Sequence, residues 1–504
     1  MTKRAFPSDL GASWNAFHQK VYQKLQTKNQ KETVSSTLRL VRNLPTVLRE
    51  NVEEVETSKE FSVFLNQVQT HVTTHGYHSK SHSSFWRHAL RNALRRSGYY
   101  LRMANVGLLN SSNCLLRVMD AFARREKTVT YIAPMEYFGC ATNELRCRAF
   151  SIERFSKDRL DILLETVQNQ VFYPWAAIDT AALSQYWLLI VKEKRSVKPL
   201  GRIVFPESFG QVRPTYSPYP EFERALRRLT LFDWQPDYGR GKKPEERPDW
   251  QGWLGFKIPF VIRLTDDVLT SPQAAPMMSS LDTEPYFDPT TNEEIGEQPQ
   301  RFITLCERET RALLSSIVET DRLIGTLESN PEGWAFLIRA LGFLAKGFFS
   351  QGLEQLLWHI TVLDALLGED TPGITKRLAR RTAAILASSE VEKKKIAKTF
   401  RKLYEFRSRL VHGGEFDDQV WESHLSDSRD MARRSLLWFL NLANKILLKT
   451  RNSSDRTIPN REELLSLVDV SPNTVSLLAK LMRPMPSTFP AVASWTDPPT
   501  EDTD

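Results

Sequence analysis

Apolar residues recur every three or four positions from Ser13 to Asn110, break into short β-rich runs between Thr128 and Leu281, and return to helical spacing beyond that point. In the first stretch Phe17, Val21 and Leu25 share one helical face, and Phe61, Phe64, Leu65 and Val68 share another. This predicts a helical N-terminal module over residues 1–125. Pro45 and the segment Thr73–Ser84 read as connections within it. The middle runs are Val129–Ile132, Trp187–Val191, Arg202–Phe205 and Phe260–Leu264. They surround a helix expected over Lys157–Gln168, so residues 126–300 read as a mixed α/β domain. Tyr238–Pro244 reads as an exposed loop, and Asp282–Gln300 as an acidic, proline-containing linker.

In the C-terminal part, Trp334, Leu337, Leu341 and Leu344 form one stripe, and Leu353, Leu357, Ile360, Leu363 and Leu367 form a second. The chain breaks at Asp370–Gly373. Further helices are expected around Leu378–Leu386, over Val391–Val411 and over Ser428–Leu448, enough for a bundle with its own core across residues 301–455. Residues 456–504 read as an extension with a helix around Leu464–Leu478, followed by a proline-rich, acidic mobile tail. The expected fold class is multidomain α+β: a helical N-terminal module, a mixed α/β middle domain and an all-α C-terminal bundle.

A net charge of +8 over 504 residues favours a polyanionic partner, although charge alone also serves solubility. No apolar run is long enough for a membrane span, and Met1–Asp9 lacks the apolar segment of a signal peptide, so a cytoplasmic protein is expected. Cys114, Cys140, Cys147 and Cys306 are too widely spaced for a zinc ribbon and read as reduced thiols. His71, His75, His78 and His82 have spacings of four, three and four, but no thiol or carboxylate lies near them. No metal or cofactor is expected.

Charge becomes informative where it clusters. Between Lys376 and Arg409 twelve basic residues stand against the acids Glu390, Glu392 and Glu405, an excess that suits a phosphate backbone or a solvated helix. Arg377, Arg380, Arg381, Lys398, Arg401, Lys402 and Arg409 are the candidate RNA contacts there. The same stretch ends in Arg407-Ser-Arg-Leu-Val-His412-Gly413-Gly414. On an unbroken helix the five-residue step from Arg407 to His412 turns about 140°, and the two glycines are expected to end the helix and let His412 turn back. A guanidinium and an imidazole suit RNA cleavage, because the ribose 2′-OH supplies the nucleophile without a metal. His412 would move the proton and Arg407 would stabilise the phosphorane. One histidine is a poor source of both proton transfers, so two copies in a C2 dimer are expected to build the site together. Asp364 on a neighbouring helix would orient His412 or hold Arg407.

Trp358-His-Ile-Thr-Val-Leu-Asp364-Ala-Leu-Leu-Gly368, Ile374-Thr-Lys-Arg-Leu-Ala-Arg-Arg-Thr-Ala383 and Leu403-Tyr-Glu-Phe-Arg407-Ser-Arg-Leu-Val-His412-Gly413 together resemble the Apea-like branch of HEPN domains, over roughly Glu332 to Leu448. That branch commonly carries Glu where this chain has Asp364. The resemblance implies a dimeric helical bundle, metal-independent RNA cleavage and an Arg-x4-His pair at Arg407 and His412. It also implies a role in prokaryotic antiviral defence, cutting tRNA or other cellular RNA. Residues 1–300 would then sense a phage-derived trigger or answer to a neutralising partner. Other readings stay open: a non-catalytic RNA-binding or protein-regulatory dimerisation module, or a DNA-binding defence sensor.

A second basic cluster lies in the N-terminal module. Arg87, Arg91, Arg95, Arg96 and Arg102 accompany Tyr99 and Tyr100 in a candidate nucleic-acid surface, while Leu90, Leu94 and Leu101 allow a packing stripe instead. The Gly239-Arg-Gly-Lys-Lys243 segment is too far from a phosphate-loop pattern to support NTP hydrolysis.

Overall fold

A computed structural model describes residues 6–32, 40–74, 83–106, 109–197, 219–232, 234, 256–277, 281–287, 294–299, 303–329, 333–350, 352–369, 373–413, 418–450 and 461–470. The expected runs at Arg202–Phe205 and Tyr238–Pro244 lie outside these residues, as do His75, His78, His82 and everything after Val470.

Six helices open the chain: α1 (Ser8–Glu32), α2 (Leu40–Thr57), α3 (Lys59–Thr74), α4 (Ser83–Arg96), α5 (Tyr99–Val106) and α6 (Ser111–Ala123). The helix α2 runs through position 45, where the proline was expected to mark a connection. Trp14, Phe17, Phe61, Phe64, Trp86, Tyr99 and Tyr100 fill the core, with ring contacts that range from the tilted Trp14–Phe64 pair at 5.0 Å to the stacked Phe17–Tyr99 pair at 6.5 Å between centroids. Val171, Phe172, Tyr173 and Leu269 from the middle of the chain complete that core. The N-terminal module therefore does not close at residue 125.

The middle region is an antiparallel sheet in the order β3-β4-β5-β1-β6, built from β1 (Glu126–Met135), β3 (Glu144–Arg146), β4 (Ser151–Glu153), β5 (Trp187–Ser196) and β6 (Ile262–Thr265). Strand alternation separates its two faces. Val129, Tyr131, Ala133, Trp187, Leu189 and Val191 point to one side; Ile132, Leu188, Ile190 and Ile262 point to the other. The second side is covered by α7 (Lys157–Leu163) and α9 (Thr180–Leu183) through Leu160, Leu164 and Leu183. The helix expected over Lys157–Gln168 is broken in two. Glu165 adopts φ +50° between α7 and α8 (Thr166–Phe172), which swings α8 away to join the N-terminal core. The stretch expected as a linker contains a hairpin of β7 (Thr283–Phe287) and β8 (Glu294–Pro299), paired in register from Thr283↔Pro299. A separate parallel pair joins β2 (Phe138–Cys140) to β9 (Ile303–Leu305), so a strand placed in the C-terminal domain by sequence pairs with the middle region.

The other face of the main sheet packs on α10 (Pro220–Leu229) and α11 (Glu307–Ser329). The first half of α11 supplies Leu313 and Ile317 to the sheet core, and its second half supplies Leu323, Ile324 and Leu327 to the bundle. Arg228 of α10, almost fully buried, pairs with Asp321 at 2.6 Å and Glu328 at 3.1 Å, two acids of α11.

The bundle continues with α12 (Ala335–Phe349), α13 (Gly352–Leu367), α14 (Ile374–Leu386), α15 (Glu390–Val411), α16 (Asp418–Thr450) and α17 (Arg461–Val470). The two stripes read from sequence meet in one core with Leu378, Phe400, Leu403, Leu436 and Phe439. Helices α12 and α13 cross closely at Gly347, where a Cβ would lie 3.0 Å from that of Trp358 and 3.1 Å from the ring of His359. The helix expected around Leu464–Leu478 is described over Arg461–Val470 and adds to the bundle core, with Leu464, Leu465 and Val468 of α17 buried. Arg461 of α17 donates to the Ala365 carbonyl at 3.1 Å, to the Asp364 carbonyl at 3.3 Å, which also accepts from the Gly368 N–H at 2.8 Å, and to the carbonyl of Gly368, so it caps the C-terminal end of α13. No helix among the described residues is long and apolar enough to cross a membrane.

Candidate functional site on the third and fifth bundle helices

Helix α15 is defined at both ends by local chemistry. Ser389 caps its start by accepting from the Glu392 N–H at 3.2 Å, and the Glu392 carboxylate accepts from the Ser388 N–H at 2.7 Å. Glu390 and Glu392 in the first turn and Arg409 in the last suit the helix dipole. At the far end Gly413 takes φ +72°, the left-handed conformation of a helix-terminating glycine. The reversal comes after His412, not before it: the His412 N–H still donates to the Ser408 carbonyl at 3.1 Å, one ordinary helical turn back. The expectation that His412 folds back toward Arg407 is therefore corrected. Their side chains leave the helix about 140° apart.

Each of the two then has different company. His412 is exposed and lies within about 60° of Lys398, Arg401, Glu405 and Arg409 on the helix circumference, which places it at the tip of an exposed basic ridge. Lys402 is exposed beside that ridge. Arg407 is half-buried on another side, its guanidinium 5.5 Å from the centre of the Tyr404 ring. Asp364 on α13 faces the same place. Burial pushes its carboxyl up to about 6, and the Arg407 cation opposes that rise. One carboxylate oxygen, Oδ1, is buried without a hydrogen-bond partner among the described residues. Tyr404 is buried, and burial followed by the charge of Asp364 raises its hydroxyl above the usual phenol range, with Arg407 opposing. The fold thus brings Asp364, Tyr404 and Arg407 within electrostatic reach of one another. It leaves His412 on a different side of α15. Tyr404 was not singled out from sequence, although its position three residues before Arg407 is the spacing of facing helical neighbours.

The remaining candidates divide sharply. Arg381 is not an RNA contact in this fold. Its guanidinium is buried, donates to the Leu367 carbonyl at 2.6 Å and to Asp469 at 2.5 Å and 3.1 Å, and lies 3.0 Å from Glu369. Arg377 pairs with Glu369 at 2.8 Å and Arg380 with Asp469 at 2.7 Å, so these two hold α14 to its neighbours while keeping part of their surface open. Asp469 comes from α17, a helix of the extension that lay outside the bundle expected over residues 301–455. Sequence spacing held no sign that an acid there would neutralise α14.

The N-terminal cluster is also corrected. Arg95 donates twice to the fully buried Glu56, at 3.0 Å and 2.6 Å, Arg91 lies 3.3 Å from the same carboxylate, and Arg87 donates to the Glu56 carbonyl at 3.2 Å. Arg96 is buried, paired with Glu165 through two contacts of 2.9 Å and bonded to the carbonyls of Thr265, Asp267 and Thr270. Tyr99 is buried with its hydroxyl 2.9 Å from His18, and Arg102 donates to the Ser97 carbonyl at 3.1 Å. These groups brace the N-terminal helices against one another and, through Arg96, against the middle region; they do not form a face for stacking bases. His359 is likewise internal: burial, reinforced by Arg429, lowers its imidazole to about 3, and Nδ1 lies 3.2 Å from the Ser428 hydroxyl. Among the described residues no group of histidines, cysteines and carboxylates is arranged to hold a metal ion.

No family model, curated protein or solved structure matches this chain.

Proposed function

We propose that this protein is a metal-independent endoribonuclease of prokaryotic antiviral defence. It would cut tRNA or other cellular RNA after activation through its N-terminal and middle regions. The observation that carries the reading is the pairing of a half-buried Asp364–Tyr404–Arg407 cluster with a solvent-facing ridge of Lys398, Arg401 and Arg409 that ends at His412. The HEPN resemblance of the same segment supports it, and the defence role rests on that resemblance alone.

In the proposed reaction the ridge holds the RNA backbone and His412 takes the proton of a ribose 2′-OH. The 2′-oxygen bonds to the adjacent phosphorus, the P–O5′ bond breaks, and an imidazolium returns a proton to the departing 5′-oxygen. The products are a 2′,3′-cyclic phosphate and a 5′-hydroxyl, and DNA is spared because it has no 2′-OH. Arg407 stabilises charge on the phosphorane, and Asp364 positions Arg407. Because the two side chains diverge by about 140° on one helix, the reading requires a homodimer. Arg407 of one protomer then meets His412 of the partner subunit.

The test is cleavage of mixed tRNA by the purified full chain with EDTA present, product ends being mapped. His412→Ala and Arg407→Ala should each lower the rate by about 10²–10⁴ while leaving unfolding temperature and dimer mass unchanged. RNA binding without cleavage, unchanged in both variants and in cells that express the protein without toxicity, would instead favour a non-catalytic RNA-binding module.

A further inference from the structure

A pocket of about 490 Å³ opens on the face of the main sheet that α7 covers, within the size range of small-ligand sites. Its floor is Thr130, Ser151, Ile190 and Lys192, brought together by the registers Thr130↔Lys192 and Ser151↔Ile190. The turn between β3 and β4 makes one wall with Arg146, Arg148 and Phe150. Helix α7 makes the other with Arg159, Ile162 and Leu163.

Four cations, Arg146, Arg148, Arg159 and Lys192, line this space against a single carboxylate, Glu153. Glu153 is buried and already committed: it accepts from the Ser151 hydroxyl at 2.6 Å and from Arg159 at 3.3 Å, and lies 3.8 Å from Arg146. Arg146 is held in addition by Glu144. Arg148 and Lys192 both line the pocket and are exposed, and neither has an ion pair among the described residues. A structural role would have given them acids, as it did for the arginines of the N-terminal module. The walls are otherwise apolar, and Ile162, at the lip, is 82% exposed, a large hydrophobic surface left open beside two unpaired cations. Unpaired cations and bare hydrocarbon lining the same pocket match a compact molecule that carries a phosphate on an apolar or planar body.

We propose that this pocket binds a small organic phosphate of nucleotide size, with Arg148 and Lys192 on the phosphate and Ile162, Leu163 and Phe155 against the body. The site does not depend on the cleavage reading, because none of its residues belongs to the C-terminal bundle.

Calorimetric titration of the full chain with ADP and UDP tests it, with inorganic phosphate and adenosine as partial probes. At least one nucleotide should bind at least about tenfold more tightly than either partial probe, and its affinity should fall as salt is raised. The R148A/K192A double variant should lose at least about tenfold, with the unfolding temperature unchanged because both side chains are exposed. Ile162→Glu, which places a carboxylate at the lip, should weaken binding as well. Arg407→Ala should leave the affinity untouched, which separates this site from the nuclease reading. Absence of binding by both nucleotides overturns the proposal, as does phosphate binding as tightly as the nucleotides, or undiminished affinity in the double variant.

Discussion

Two arginine-rich helices, α4 near the N-terminus and α15 in the bundle, carry similar runs of positive charge and end in opposite circumstances. In α4, Arg91 and Arg95 turn inward onto Glu56 and brace the helix against α2, while Arg96 reaches Glu165 and ties the N-terminal module to the middle region. In α15, Lys398, Arg401, Lys402 and Arg409 face solvent with no ion pair among the described residues. The difference is not set by the charge run of either helix. It lies in where distant carboxylates arrive: Glu56 from α2, and Glu165 from a turn with positive φ. A cation becomes available to a ligand only where tertiary structure supplies it no acid.

The largest effect expected from breaking this contrast is at Glu56. Glu56→Ala would leave Arg91 and Arg95 without their buried counter-charge and should cost about 3–5 kcal/mol, read as a fall in the denaturant midpoint. If the fall is under about 1 kcal/mol, the inward cluster is not a strut and the contrast fails.

A smaller effect is expected at Asp364, a half-buried carboxyl whose Oδ1 has no hydrogen-bond partner among the described residues. Its folded value of about 6 lies above the ordinary 3.8, so the folded chain binds this proton more tightly than the unfolded one. Stability from this group is present in full below about pH 4 and is lost as pH rises through the window from 4 to 6, by up to about 3 kcal/mol. Asp364→Asn should therefore be more stable than the parent at pH 7.5, with the advantage vanishing near pH 4. Thermal melts of the two across that range decide it, and equal melts at pH 7.5 would show that the carboxyl is not destabilised by burial.

The smallest effect on stability is expected on the open ridge. Lys398→Ala, Arg401→Ala and Lys402→Ala should each change stability by no more than about 0.5 kcal/mol. Combined, they should weaken RNA binding and flatten its dependence on salt, the slope of log affinity against log salt falling by about 0.7 for each phosphate that the variant no longer neutralises. An unaltered slope would show that the ridge is only a solvated helix face.

Much of the architecture was legible in the chain. The apolar stripes of α12 and α13, the helical period of α15 and the run Trp187–Val191 all became the elements expected of them, because side-chain periodicity is a local property of helix and strand. The errors share a cause as well. The break of the helix after Leu163 depends on one backbone angle at Glu165, and the hairpin β7–β8 depends on pairing across residues that composition marks as a linker. The docking of α17 depends on Arg461 reaching carbonyls nearly a hundred positions away.

Sequence by itself determined the main helical stripes and the central strand run, where α15 starts and stops, and that Arg407 and His412 stand five residues apart just before a terminating glycine. Tertiary structure alone decided which cations are spent on Glu56, Glu165, Glu369 and Asp469. It also decided that Asp364 and Tyr404 lie beside Arg407, while His412 belongs to the open ridge. The physical reason is one of range. Helix period and capping act over about one turn and are written in neighbouring residues, whereas neutralisation and desolvation of a charge depend on which distant side chains folding packs around it.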